Sequence, residues 1–564
     1  MSSPDDTVKS NPTAFPYLQA HDLELLKPLS ETVSFSDGQT IFHTGDVDLD
    51  LFVVETGGIK ILSPSDENNH IITHGPGQFS GDIDLLTHRP IMVSGVATGL
   101  TQVLRIKISR LHEVLSKVPH FAEVLLIALQ ERRRLLQASG LIGLKVVGPG
   151  KCRDTMLVRE FLYKNFVPFT WYDSTTDQAQ KLMNGWGSPK KTPVIECSNG
   201  QLLLNPGLRE LAQSIGVWRH CPCDKVDLAI IGAGPAGMTA AVYAASEGLS
   251  TVVLDRLGPG GQAAGSSKIE NFIGFPSGLT GTELATRSVL QMLKFGAKML
   301  APVSVEKIVP AATPDDFHAL HLDCGNILLA RTVLIAAGVH WRKLEAASAE
   351  RFESAGIHHA CTTVEAVLYD KQDVAVIGAG NSAGQAAMFL AECCPDRTVH
   401  LLLRKKLGIG MSYYLAERIR AAHNIVLREG VEIANVHGKH RLEGVTLRAF
   451  NPNSAESQGE GSSEAFEFLP ISAAFVFIGA DPGCSWLPES LARDSLGYIM
   501  TGLDALRSGQ WPLKDREPYS LETTIPGILA AGDIRSGSAK RVGFAVGDGS
   551  MAVTCVNKLV AIRS

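Results

Sequence analysis

"KVDLAIIGAGPAGMTAAVYAASEGLSTVVLDR" (residues 225–256) decides the fold. It reads as an apolar strand, a turn Gly232-x-Gly234-x-x-Gly237, a helix ending near Gly248, and a second strand closing on Asp255. The glycines of Gly234-Pro235-Ala236-Gly237 and Gly232 permit a tight turn, close approach of backbone to a pyrophosphate, and close helix–strand packing. The helix N-terminus then faces the phosphates. Asp255 stands where an acid accepts a ribose hydroxyl. Strand, helix, second strand and terminal acid together make a dinucleotide-binding unit, which the three glycines alone would not.

The unit occurs twice. "DVAVIGAGNSAGQAAMFLAECCPDRTVHLLLRKK" (373–406) repeats it with Gly378, Gly380, Asn381, Ser382 and Ala383, but its second strand ends in Arg404-Lys405-Lys406. Cations there suit the 2′-phosphate of NADP, which a carboxylate would repel. One acidic-ended unit and one basic-ended unit imply an α/β protein with two Rossmann-like domains. The implied activity is that of an FAD- and NADPH-dependent oxidoreductase.

Further pieces of 224–564 resemble the low-molecular-weight thioredoxin reductases: "GPGGQ" (258–262), "IEN" (269–271), "FVFIGADP" (475–482) and "GILAAGDIRSG" (527–537). The resemblance implies FAD contacts from Gly261, Gln262, Asn271 and Asp533. Arg541-Val542 falls where that family has Arg-Gln beside the flavin ring. It also implies a discontinuous FAD domain, 224–340 plus 475–564, with an NADPH domain at 341–474, and a homodimer. In the family C-A-T-C-D-G precedes the second unit. Here the same positions read Cys361-Thr362-Thr363-Val364-Glu365-Ala366. Cys361 remains and the second cysteine is Val364, which can neither ionise nor form a disulfide.

Two segments precede the flavoprotein. Residues 1–140 alternate apolar and polar between "DGQ", "TGD" and "TGG", then switch to helical spacing, which reads as a β-roll or barrel closed by helices. They resemble a cyclic nucleotide-binding domain, with "GQFSGDIDLLTHRPIMVSGVA" (77–97) as its phosphate cassette. Gly81-Asp82 matches the cassette's Gly-Glu. The phosphate-pairing arginine position is Ile91, with Arg89 two residues away, so the ligand stays open between a cyclic nucleotide and another small molecule. Residues 144–218 resemble a small glutaredoxin-like thioredoxin fold. Cys152-Arg-Asp-Thr155 sits at its C-x-x-C/S/T position and Thr192-Pro193 at its cis-proline. Backbone N–H groups at a helix N-terminus favour negative charge on sulfur, which makes Cys152 a second candidate thiol beside Cys361.

The 564 residues are too many for one core. A formal charge of −6 offers no electrostatic footing for nucleic acid or an anionic membrane, and no apolar run is long enough to span a bilayer. The polar N-terminus lacks the pattern of a secretory signal, so a cytoplasmic location is expected. Ten cysteines at this length make no disulfide framework. Cys221-Pro-Cys223 is a third candidate thiol site, Cys393-Cys394 reads as a helix end, and Cys197, Cys324, Cys484 and Cys555 read as structural. No metal site is expected. Three outlets for the electrons stay open: a thioredoxin-like protein disulfide, a non-disulfide acceptor (oxygen, a quinone or a ferredoxin-type protein), or a redox-sensing regulator.

Overall fold

The computed structural model describes residues 11–63, 66–139, 143–150, 152–218, 225–266, 268–313, 316–353, 355–361, 363–439, 441–450, 466–484 and 486–563. Cys221, Cys223 and the polar stretch 451–465 lie outside them.

The glycine-punctuated N-terminal strands form an antiparallel roll in the order Glu31–Phe35, Ser94–Ile106, Leu51–Ser63, Asp66–His74, with Thr40–Phe42 also on Ser94–Ile106. Inward residues of these strands, Phe42, Phe52, Val54, Ile59, Ile61 and Val103, bury one another. Helices Leu111–Lys117 and Pro119–Ser139 close the roll.

The middle segment orders its strands Phe169–Asp173, Leu144–Gly148, Val194–Glu196, Leu202–Leu204. The first pair is parallel and the other two antiparallel. Helix Arg153–Lys164 makes the crossover and lays Val158, Phe161 and Leu162 on the sheet. The Thr192–Pro193 peptide is cis, at the position the glutaredoxin resemblance implied.

The flavoprotein part holds two parallel sheets. The first runs Lys298–Leu300, Thr251–Leu254, Lys225–Ile231, Ile327–Ile335, extended by the antiparallel strands His318–Leu322 and Val305–Val309. Ile528–Ala530 returns late in the chain to pair with Ile327–Ile335. The second sheet is entirely parallel: Ile357–His358, Ala473–Val476, Val374–Ile377, Val399–Leu403, Ile425–Glu429. The chain passes between the sheets at His340–Trp341 and again at Ala480–Asp481, and these two crossings pair as a short antiparallel ribbon. Both faces of a parallel sheet need cover. On the first sheet, helices Pro235–Ser246, Gly281–Lys294 and Val542–Arg563 contribute to one apolar cluster that supplies it.

That cluster does not stop at the flavoprotein. It runs from Leu85, Leu86 and Phe121 of the roll through Phe166 of the middle segment to Ala236, Val289 and Leu293. The roll is therefore packed into the flavoprotein core.

Candidate functional site

At the first dinucleotide turn the glycines are required by what surrounds them. Gly232 has φ +107°, and a Cβ there would stand 2.4 Å from the Ala336 carbonyl oxygen. A Cβ on Gly237 would lie 2.0 Å from the Gly232 carbonyl oxygen. Gly234 caps helix Pro235–Ser246, with Pro235 in its first turn and Ala236 buried behind it. Gly261 closes over this turn: a Cβ on it would meet Gly234 Cα at 2.8 Å. The result is a backbone cradle that admits a pyrophosphate and excludes side chains. Asp255 does more here than the pattern implied. Its Oδ2 accepts the Ala233 N–H at 2.9 Å, and its Oδ1 accepts those of Leu257 and Gly258, each at 2.9 Å. It ties the glycine turn to the loop that carries Gly261 and Gln262. Gln262 donates in turn to the Val339 carbonyl.

The remaining flavin-side candidates lie at different depths. Asp533 sits in the turn Gly532–Ile534, and its carboxylate has no hydrogen bond among the described residues. Burial chiefly holds its carboxyl above the ordinary range, against the pull of Lys540. A half-buried acceptor without a donor fits a ligand hydroxyl. Arg541 is exposed and Val542 opens helix Val542–Arg563, where it packs against the cluster of Ile269, Leu279 and Leu284. Asn271 is exposed on the neighbouring loop.

The second turn repeats the logic with a looser finish. Gly378 has φ +135°, and its Cβ would stand 2.3 Å from the Phe477 carbonyl oxygen. Gly380 caps helix Asn381–Cys393 and has open space where a Cβ would be. Asn381 Oδ1 accepts the Ser412 N–H at 2.7 Å, Ser382 is exposed, and Ala383 is buried. Beyond the strand end, Arg404 is 56 % exposed, pairs with Glu432 at 3.0 Å and lies over Phe450. Lys405 and Lys406 are exposed.

Residues 226–549 match the family model described as pyridine nucleotide-disulphide oxidoreductase. The chain belongs to that family. Residues 32–118 match the cyclic nucleotide-binding domain model. A thioredoxin reductase of Mycoplasma pneumoniae is 27% identical over 335 residues, covering 59% of this chain and 95% of the relative. An alkyl hydroperoxide reductase subunit of Staphylococcus epidermidis is 28% identical over 358 residues, 63% of each chain. Among solved structures, T. acidophilum thioredoxin reductase aligns at TM-score 0.51 and 25% identity, over 61% of this chain and all of the other. The protein is an FAD- and NADPH-dependent oxidoreductase with an N-terminal cyclic nucleotide-binding domain.

The thiols of this oxidoreductase differ sharply. Cys361 is 3 % exposed, in an apolar cluster with Ala366, Tyr369 and Leu390. A single parallel bridge pairs it with Ser266, just beyond the loop that carries Gly261. Burial first, then the Glu365 charge and Cys393, push its thiol well above the ordinary range, while Arg397 pulls the other way. Val364 lies in helix Thr363–Leu368. Cys152 is half-buried and caps helix Arg153–Lys164, the position predicted for it. Beneath it Thr155 is fully buried, and its hydroxyl has no hydrogen-bond partner among the described residues. Cys393 is the exposed last residue of its helix, and Cys197, Cys484 and Cys555 are buried. Among the described residues no cluster of His, Cys, Asp and Glu could hold a metal, and no helix is long and apolar enough to cross a membrane.

Several positioning residues escaped the sequence reading. Lys164 Nζ donates to the Gly261 carbonyl at 3.3 Å, and Asn165 Nδ2 to the Leu257 carbonyl at 2.8 Å. The loop that carries Leu257 and Gly261 is thus held from the middle segment, by residues with no motif around them. Asp548 accepts from Gly532 N at 3.0 Å and pairs with Arg535 at 3.0 Å. Gly549 lets helix Val542–Arg563 cross helix Pro235–Ser246, since its Cβ would be 2.3 Å from the Ala236 carbonyl oxygen. A glycine inside a helix was the available signal for that crossing.

Proposed function

We propose that this protein is an NADPH-dependent FAD oxidoreductase of the thioredoxin reductase type whose dithiol step at 361–364 is absent. Its units are 1–140, 144–218, the FAD domain 224–340 plus 475–564, and the NADPH domain 341–474. FAD bound in the cradle of Gly232, Gly234, Gly237, Gly261 and Asp533 supplies two-electron chemistry with NADPH as hydride donor. The chain's own residues shape the surroundings of that cradle. Asp255 and Gln262 hold the flavin loop, Arg404 and Lys405 offer charge to a 2′-phosphate, and apolar packing buries Cys361, which bridges to Ser266.

One observation carries the reading. The thiol kept from the family motif is buried and protonated, its partner position is valine, and a second thiol is half-exposed at a helix N-terminus. For a protein disulfide Cys152 is the half-exposed candidate: its thiolate would attack one sulfur of the partner's disulfide, forming a mixed disulfide and releasing the partner's other thiolate, and two electrons and a proton from the reduced flavin would then cleave that mixed disulfide. The partner is a thioredoxin-like disulfide, and the setting is a cytoplasmic homodimer. A second reading, transfer to a non-disulfide acceptor, is favoured by the same burial of Cys361.

Anaerobic NADPH titration followed by acceptor assays separates them. Flavin bleaching with turnover of dithionitrobenzoate or thioredoxin, lost in Cys152→Ser and kept in Cys361→Ser, supports the disulfide reading. Bleaching without disulfide turnover moves the function to a non-thiol acceptor. Bleaching only by a reduced iron–sulfur donor reverses the electron flow and sinks both.

A further inference from the structure

The family domain at the N-terminus would hold its ligand inside the roll, on the 77–97 cassette. Three contacts divert the cassette from that task. Ile91 is buried against Phe42, Phe52 and Val103, so the cationic position inside the roll is apolar. Asp82 and Asp84 are both held by the buried Arg133, at 2.7 and 2.5 Å. Arg89 points outward and donates to the Asn165 carbonyl. A cyclic phosphate in the roll would bury its charge with no cation at position 91, which is costly.

The outward-turned cassette instead bounds a cavity of about 320 Å³ where the roll, the middle segment and the FAD domain meet. That is within the ligand-pocket range of roughly 300–1,000 Å³. Its floor is apolar, with Phe166, Val289 and Met292 among the lining residues. Arg89, His88, His112 and Lys298 also line it, with Asp48 the one acid, and His88 Nδ1 lies 2.9 Å from Asp48. An apolar floor with basic residues in its wall selects a small molecule with an apolar body and an anionic head.

The walls lead to the flavin. Phe166 holds φ +58°, a strained conformation for a bulky side chain, and its carbonyl accepts from Arg133 at 2.8 Å. Next to it Asn165 binds Arg89 through its carbonyl and Leu257 through its amide, while Lys164 reaches Gly261. One or two hydrogen bonds separate the cavity wall from the loop that closes the flavin cradle.

We propose that this three-way cavity is an effector site for a small amphipathic anion, a carboxylate or phosphate on an apolar body, and that its occupancy alters the flavin loop. The test uses the full FAD-loaded chain and calorimetric titration with decanoate, with decyltrimethylammonium, which carries a comparable tail on the opposite charge, and with cyclic AMP. Saturable binding of decanoate, roughly 10-fold tighter than the cation, with a shift of the flavin absorption band, is expected. Met292→Trp, which fills the floor, should weaken it roughly 10-fold or more at unchanged flavin content. Should that variant fail to fold, Lys298→Glu, an exposed change, decides, with weakening of several-fold expected. The proposal is overturned by no saturable binding, by equal binding of both head groups, or by decanoate binding that the folded variants leave intact. Cyclic AMP binding in place of decanoate, retained in both variants, would put the effector back inside the roll and also overturn it. Binding is read without turnover, so these outcomes are independent of which acceptor the flavin serves.

Discussion

The two dinucleotide units share a plan and differ in how tightly they are finished. In both, the first glycine is forced by a carbonyl just past the end of the neighbouring strand, which a Cβ would meet at 2.4 Å for Gly232 and 2.3 Å for Gly378. From there they part. The first turn is closed over by Gly261, laced by three N–H bonds to Asp255, braced by Lys164 and crossed by helix Val542–Arg563 at Gly549. The second is left open above Gly380, and its charged end is exposed. A cofactor that stays through many turnovers suits the sealed unit, and one that arrives and leaves each cycle suits the open one. The fold is common to both; retention is set by the segments that cover it.

Gly232→Ala should break the sealed unit most severely. It places a methyl against a backbone oxygen at positive φ, where neither can yield. Flavin content of the purified protein is expected to fall roughly 10-fold or more, read as absorbance per chain. Normal flavin loading would mean that the turn is not the FAD cradle. Next in size, Arg404→Gln should raise the KM for NADPH about 10-fold and leave that for NADH unchanged, because it removes a charge-assisted contact to one phosphate. A parallel rise for NADH would place Arg404 in support of Glu432 only.

The seam between the units offers a smaller, pH-dependent effect. The Cys361 pKa is raised in the folded chain, so the folded state holds its proton to higher pH than the unfolded state, whose thiol titrates near ~8.5. That contribution to stability is fully present below the unfolded value and is lost as pH rises through the folded one. Iodoacetamide labelling of native Cys361, followed by peptide mass spectrometry, should stay slow at pH 8 and keep rising past pH 9 without a plateau. A plateau near pH 8.5, or labelling as fast as in the unfolded chain, would contradict the buried, protonated thiol. Least of all, Gly380→Ala should leave thermal stability within about 1 kcal/mol, since its Cβ enters open space. Its effect should fall on NADPH affinity alone. A large loss of stability would show the second unit to be as closed as the first.

Much of this was legible in the chain. Strand–glycine–helix patterns are local, and the acid or cations at the second strand end lie in fixed register with them, so both units and both cofactors could be read from 225–256 and 373–406. The cis peptide at Pro193 and the helix N-terminal place of Cys152 agree with what the resemblance of 144–218 to a glutaredoxin-like fold implied. Asp255 was singled out as an acceptor for a ribose hydroxyl, but its lacing of the 257–262 loop was not foreseen, because its partners' amide directions depend on how that loop folds back. Lys164 and Asn165 carry no motif, and they matter only because a helix in one segment ends against a loop in another.

By itself the sequence determined the kind of chemistry, two nucleotide cofactors on two Rossmann-like units, and it puts a valine, which carries no thiol, at position 364. Only the tertiary structure decided the state of the remaining thiol and the standing of the N-terminal domain. Whether Cys361 can ionise depends on desolvation by residues far apart in the chain. Whether the cassette faces a ligand or a neighbouring domain depends on which surface Arg89 and Arg133 meet once the roll has packed into the flavoprotein core.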